Sequence, residues 1–496
     1  CEIMLIFREK TTVVKRTEPM TQTNRKMTSY RWVICGLLFF ATTVNYLDRQ
    51  VLSLTWEDFI RPAFHWTNHH YGWVTGIFSL VYAVAMLFAG RIVDKLGTKR
   101  GYMWSIGIWS AGACLHALCG VATEHLVGLP DAAALRAVAE NVDLAAKIAL
   151  VSLTLFIMAR CVLAIGEAGN FPAAIKATAE YFPKKDRAYA TSIFNAGSTI
   201  GALIAPFAIP TLAARFGWEA SFIIIGALGF VWMGFWQFLY KKPDRNPAVD
   251  AAELAYINSD TEQERAEAEK AAAEAAAAPK VSLWRCFGYR QTWAFISGKA
   301  IADGVWWFYL FWMPSYLKNA CGMSSTSIEF QMALGVLYLI VMVSLFGGYL
   351  PTIFIERRKM NPYAGRMRAM LIFAFFPLLA LLAQPLAGYS YWYPVIIVGI
   401  AGAAHQSWSA NIFSTVGDMF PKSMIATITG IGGMAGGIGS FGIQTGAGSL
   451  FDYAAETDLA FLGYHGIEAG YMIAFSFCAV AYLASWAAMK AFVPHY

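Results

Sequence analysis

Between short polar connections the chain runs through long apolar stretches, near residues 32–54, 71–93, 101–121, 148–178, 189–213, 219–240, 291–317, 328–355, 367–387, 390–416, 424–449 and 468–491. Each has about the 20 residues that an α-helix needs to cross roughly 30 Å of hydrocarbon. The pattern therefore predicts an all-α membrane protein with twelve transmembrane helices. A β-barrel is disfavoured, because the runs are continuously apolar and lack the ten-residue alternation of an outer-membrane strand.

The polar connections differ in charge. With the N-terminus placed in the cytoplasm, the inner loops hold Arg91, Lys95, Lys99, Arg100, Lys184, Lys185, Arg187, the stretch Lys241 to Arg290, Arg357, Arg358, Lys359, Arg366, Arg368 and Lys422. The outer loops hold Arg61, Arg136, Lys147, Arg215 and Lys318. The positive-inside rule then puts both termini in the cytoplasm, with the chain multi-pass in the plasma (inner) membrane.

A long polar stretch divides the chain. Between Lys241 and Arg290, PDRNP gives way to acidic, alanine-rich sequence from Glu262 to Pro279, which favours a surface helix. The expected organisation is a leader over 1–30, a six-helix bundle over 31–242, a cytoplasmic linker over 243–290 and a second bundle over 291–496. The leader reads as disordered or over-extended, with Met20 and Met27 as candidate starts. A second polar insert, Thr123 to Lys147, reads as an outer-face loop helix.

An internal repeat makes the bundles pseudo-symmetric. EYFPKKDRAYATSIFNAGSTIGALIAP from Glu180 resembles DMFPKSMIATITGIGGMAGGIGSFGIQ from Asp418: Phe182, Pro183, Lys184, Ala188 and Gly201 match Phe420, Pro421, Lys422, Ala426 and Gly439. Parallel repeats of this kind place a binding site between the halves near the bilayer midplane. The same register puts His405 where the first half has Glu167.

Composition agrees and narrows the functions. At 57% hydrophobic and 14% charged residues, the chain is too apolar for a soluble globular protein. Its net charge of +6 belongs to the loop asymmetry, so no nucleic-acid partner is expected. The eight cysteines form no CxxC pair, and no disulfide framework is implied.

Charges inside apolar runs carry the candidate chemistry. Arg160 and Glu167 lie about two helical turns apart, on one face of the fourth run. Asp48 and Arg49, in NYLDRQ of the first run, point about 100° apart and so face different partners. Ionised groups at that depth cost several kcal/mol unless they pair or face a water-filled cavity, which marks a substrate or proton path; a purely structural ion pair is the alternative. Protonation of Asp48 or Glu167 would free an arginine to take a substrate carboxylate bidentately.

Further candidates follow along the chain. GRIVDKLGTKR combines Gly90 for close helix approach, Asp94 at a helix end and a basic cluster ending in Arg100, and reads as a gate and latch. Lys299 and Asp303 have the i,i+4 spacing of a salt bridge, either at a gate or simply neutralised. Trp306 to Tyr309 could stack on a sugar ring, anchor the helix at the interface or pack in the core. His405, Gln406, Trp408 and Asn411 within a membrane span suggest hydroxyl recognition.

Other matches are set aside. GIGSFG (Gly437 to Gly442) lies in an apolar run without a preceding strand, so its glycines serve close packing. His65, His69 and His70 lack a metal-ligand pattern, and no metal or cofactor is expected. Without Walker A, HExxH or GxSxG, energy is expected from an ion gradient and no enzyme activity is predicted.

Taken together, NYLDRQ, GRIVDKLGTKR, Arg160 to Pro172, EYFPKKDRA, GKAIADGVWWFYLFWMPSYL and HQSWSANIF resemble the anion:cation symporter branch of the major facilitator superfamily, most of all its hexuronate transporters. The resemblance spans about residues 30 to 492. It implies the major facilitator fold and proton-coupled uptake of a small organic anion, such as glucuronate or galacturonate, by alternating access; a monomer in the bilayer is expected. It implies proton-linked roles for Asp48 and Glu167, and carboxylate handling by Arg49 and Arg160. Tyr82 would be a cavity tyrosine, and His405, Gln406 and Asn411 would face substrate. The insert 123–147 and the leader have no counterpart in that pattern. Another small organic anion (an aldonate or a phosphorylated triol) and a transport-like membrane sensor are the alternative readings.

Overall fold

In a computed structural model of the chain, which describes residues 27–138, 141–260, 270 and 283–494, each of the twelve apolar runs is a helix. They are α1 (Tyr30–Thr55), α2 (Asn68–Leu96), α3 (Thr98–Val127), α4 (Val142–Glu167, resuming as Asn170–Tyr181), α5 (Lys184–Phe216) and α6 (Trp218–Leu239). In the second half come α7 (Arg290–Asn319), α8 (Ile328–Val341, extended by 3₁₀ turns), α9 (Pro362–Phe375, carried on to Ala387), α10 (Trp392–Met419), α11 (Lys422–Glu456) and α12 (Gly466–Phe492). Among the described residues, seven helices are long and apolar enough to cross a membrane on length and composition alone. Helices α1, α7, α8, α10 and α11 fall outside that set, α1 and α7 carrying Asp48–Arg49 and Lys299–Asp303 within them.

The burial pattern is that of a protein in lipid. Phe88, Leu118, Leu150 and Phe238 stand exposed, whereas Asp48, Arg49, Arg160 and Glu167 are buried. Hydrocarbon tolerates the first group outside and forces the second inside.

The halves repeat one packing scheme. In the first, α1 packs on α5 and α6, α3 on α4 and α6, and α2 on α4. In the second, α7 packs on α11 and α12, α9 on α10 and α12, and α8 on α10. The sequence repeat has a local cause. Phe182 (φ −127°, ψ 135°) and Phe420 (φ −129°, ψ 148°) each end a helix in extended geometry, and Pro183 and Pro421 then cap the next helix. Proline's fixed φ and missing N–H suit that helix start. Gly201 lies against the Thr43 carbonyl of α1, and Gly439 against the Ala300 carbonyl of α7, so tightly that a Cβ would collide in both places. The halves meet along α2 and α11, along α5 and α8, and where α1 touches α7.

One expectation needs adjusting. Gly90 makes no close helix approach, since a Cβ there would meet open space; the tight contact is at Gly101, against Val93. The insert 123–147 carries a loop helix as expected, Ala132–Ala137 with Asp131 as its cap, between the end of α3 at Val127 and the start of α4 at Val142. The leader up to residue 26 and the helix expected over Glu262–Pro279, save Lys270, lie outside the described residues.

Candidate functional site

The centre of the first half is a buried cluster of four charges. Arg49 donates to Glu167 Oε2 from Nε at 3.1 Å and from Nη2 at 2.6 Å, joining α1 to α4. Glu167 occupies the last turn before α4 breaks, and two glycines explain how α3 approaches so closely there. A Cβ on Gly166 would strike the Trp109 backbone, and one on Gly169 would strike Ser105 Oγ, which instead donates to the Gly166 carbonyl at 2.6 Å. Just beyond the break, Tyr102 of α3 donates to Asn170 at 2.7 Å. The small residues of IGEAGN thus let α3 clamp the end of α4 that presents Glu167.

Arg160 is 0% exposed, and among the described residues Nε, Nη1 and Nη2 all lack a hydrogen-bond partner. Its guanidinium lies over the Phe78 ring at 5.1 Å and within electrostatic reach of Asp48, Glu167, Arg49 and Tyr71. Among the described residues, both Asp48 oxygens, Glu167 Oε1 and Asn45 Nδ2 are likewise buried without a hydrogen bond of good geometry. Neighbouring residues Asp48 and Arg49 do face different groups: Arg49 takes Glu167, while Asp48 looks towards Trp109 and Arg160. Aromatic rings box in Arg49, with Tyr46, Phe78, Tyr82 and Trp307 at 4.9 to 5.6 Å from the guanidinium carbon. Desolvated cation–π contacts are worth about 2 kcal/mol each and hold the guanidinium in place without consuming its donors. Trp307 reaches this box from α7, across the interface between the halves.

The second half presents different chemistry. Gln406 lines a narrow cavity between the halves with Tyr46, Ser198, Thr199, Trp306 and Tyr338. Its free volume of about 20 Å³ admits about one water, too little for a sugar acid in this conformation. His405 lies behind that wall, stacked parallel on Trp306 at 5.3 Å, with Nδ1 2.9 Å from the Tyr482 hydroxyl. Asn411 donates to the Ser407 carbonyl of its own helix at 2.8 Å. Lys299 pairs with Asp303 at 2.7 Å, and its ammonium sits 4.2 Å from the Phe413 ring. Gly436 leaves the space that the Asp303 carboxylate fills.

The remaining candidates lie at the end of the bundle that carries the basic loops. Asp94 pairs with Lys176 at 2.8 Å, tying the 90–100 segment to the end of α4. Arg100 borders a surface pocket with Lys99, Lys241 and Arg245.

At the opposite end the halves are fastened together. Trp56 Nε1 donates to Ser315 Oγ (2.8 Å), Tyr71 to the Phe311 carbonyl (2.8 Å), and Asn68 and His69 amides to Asp452 (2.9 and 2.7 Å). Asp58 accepts from Lys318 and from Ser325 N. Burial pushes the Asp58 carboxyl up, but these bonds outweigh it and hold it below the usual carboxylate range. At this end His65 Nε2 meets the Leu135 carbonyl, His69 accepts from Trp73, and His70 accepts from Thr67 N in a capping box.

Sequence reasoning did not identify Tyr46, Phe78, Trp109 and Tyr338 as site residues. Tyr46 was legible as the ring three residues before Arg49; the other three reach the site only through packing.

Comparisons with known proteins place this geometry in a family. The sequence matches the Major Facilitator Superfamily over residues 38–443. It is 26% identical over 433 residues to the hexuronate transporter of Escherichia coli (strain K12), covering 86% of this chain and 89% of that one. It is also 26% identical over 344 residues to the galacturonate transporter of Dickeya chrysanthemi, covering 69% and 87%. Among solved structures, a bacterial homologue of the human lysosomal transporter Spinster superposes with TM-score 0.64 at 17% identity, covering 94% of this chain and 97% of that one. A D-xylose–proton symporter superposes with TM-score 0.61 at 15% identity, covering 91% and 97%. Twelve helices in two like halves, with buried charge between α1 and α4, are thus the multi-pass membrane fold of the Major Facilitator Superfamily, to which this chain belongs.

Proposed function

We propose that the protein is a proton-coupled symporter that imports a sugar acid of the hexuronate class by alternating access. The observation that carries this reading is the Arg160 guanidinium, fully buried with all three nitrogens lacking a hydrogen-bond partner among the described residues. A buried charge without hydrogen bonds costs several kcal/mol, and a planar carboxylate satisfies it with two parallel bonds. The names of the relatives at 26% identity support a sugar acid as the source of that carboxylate.

Charge balance supports coupling. Asp48, Arg49, Arg160 and Glu167 sum to zero when all are ionised. A substrate anion entering alone would leave the pocket at −1 in a low-dielectric medium, where an uncompensated charge is expensive. A proton taken up by Asp48 or Glu167 restores neutrality, which favours one proton per monoanion. Protonated Glu167 would also release Arg49 from its ion pair and free its donors for the same carboxylate. Gln406, Ser198, Thr199, Tyr46 and Tyr338 supply hydroxyl-binding groups on the facing walls. His405 and Asn411 act in this scheme by holding Trp306 and α10 in place, and the Asp94 to Arg100 segment and Lys299–Asp303 act as gate and latch.

The chain acts as a monomer of two bundles, 31–242 and 291–496, joined through 243–290. The basic loops and both termini face the cytoplasm of the plasma (inner) membrane, so the fastened end faces outward. The test is uptake of radiolabelled hexuronates and aldonates into proteoliposomes, with and without an imposed inward proton gradient. Hexuronate accumulation driven by the gradient is the expected outcome. Equal accumulation without it would refute proton coupling, and binding without flux would favour the sensor reading.

A further inference from the structure

The basic end holds a second feature that transport does not explain. Lys99, Arg100, Lys241, Lys242 and Arg245 line a polar pocket of about 600 Å³ where the start of α3 meets the chain leaving α6. Its carboxylate, Glu180, already accepts from Thr98 (2.6 Å) and Tyr240. Arg245 has Asp244 beside it at 3.7 Å, on an exposed surface where such a pair contributes little. Lys99 and Lys241 lie close enough for their like charges to act on each other. Among the described residues the pocket is therefore a concentration of cations short of anions.

It is also continuous with an apolar groove. Arg100 lines both cavities, and Lys99 Nζ donates to the carbonyl of Gln237, a residue of the groove, at 2.6 Å. The groove runs between α3 and α6 past Trp104, Gly107, Ile108, Ala111 and Met233, with a volume of about 690 Å³. Trp104 is 64% exposed on this face, and Gly107 keeps the floor low, a Cβ there lying 3.4 Å from Met233 Cε. A water-soluble anion would use the pocket and leave the groove empty. An amphiphile with an anionic head and a hydrocarbon tail fills both, and basic pockets next to helix ends are suited to such lipids.

We propose that this site binds one anionic phospholipid, with its phosphate among Lys99, Arg100, Lys241 and Lys242 and an acyl chain along the groove between α3 and α6. Such a lipid ties the 97–100 turn to the segment leaving α6, bracing one end of the first bundle.

The test compares phosphatidylglycerol, phosphatidylcholine with the same acyl chains, and inorganic phosphate added to detergent-purified full-length protein. Native mass spectrometry reads retained lipid, and thermal unfolding reads stabilisation. Phosphatidylglycerol should be retained at least about fivefold better than phosphatidylcholine, and each of Arg100→Ala, Lys241→Ala and Lys242→Ala should weaken it about fivefold. Gly107→Leu, which fills the groove and leaves every cation in place, should lower phosphatidylglycerol retention. Trp104→Ala serves as the second groove variant should Gly107→Leu fail to fold. Equal retention of both lipids overturns the proposal, as does stabilisation by inorganic phosphate equal to that by phosphatidylglycerol. Indifference of retention to the groove variants likewise overturns it.

Discussion

The two halves share a scaffold and divide the chemistry. Around the same Phe–Pro helix junctions and the same glycine contacts, the first half buries four charges at Asp48, Arg49, Arg160 and Glu167. The second half, in the register of Glu167, has His405 clasped between Trp306 and Tyr482. Among the described residues the first set includes a guanidinium with unused donors, whereas in the second His405 Nδ1 meets the Tyr482 hydroxyl. A repeat conserves backbone packing because collisions at Gly201 and Gly439 leave no alternative, whereas side chains facing the interface are free to diverge. In the proposed function this difference corresponds to ion handling in the first half and shape and hydroxyl recognition at the wall between them.

Arg160→Ala should break this division most severely. Losing a bidentate carboxylate contact lowers hexuronate uptake about 100-fold or more in proteoliposomes, and uptake within twofold of wild type would remove the first half as the carboxylate wall. Glu167→Gln comes next: proton-driven accumulation falls at least about tenfold while exchange of internal for external substrate persists, and full accumulation would show that the proton is carried elsewhere. On the facing wall, Gln406→Ala should raise the transport KM about tenfold, the cost of a hydrogen bond or two, and leave the pH dependence of uptake unchanged. A shifted pH profile would place part of the proton path in the second half. Tyr482→Phe is the mildest: it removes the partner of His405 Nδ1, costs about 1 kcal/mol of stability in thermal unfolding, and changes uptake less than threefold.

The limits of sequence reading show at particular residues. Arg160 and Glu167 were legible because charge inside an apolar run is rare and costly, and their spacing on one face follows from helix geometry. The pairing of Arg49 with Glu167 was not, since the two are separated by more than a hundred residues and several carboxylates could compete. Gly90 shows the reverse error: a glycine in a motif suggests close packing, but only the neighbouring helix decides whether anything approaches, and the contact fell to Gly101. The contacts of Trp56 with Ser315 and of Asn68 with Asp452 fasten the halves through groups that are ordinary in sequence.

The amino-acid order alone determined the number of helices, their repeat and the buried ions, because the hydrocarbon imposes length, apolarity and an energetic cost on every charge. Tertiary packing alone decided which ions pair, which guanidinium is left with free donors, and that the aromatic box around Arg49 is closed from the other half by Trp307. These depend on distances between helices, set by where glycines let backbones meet, and no local pattern encodes them.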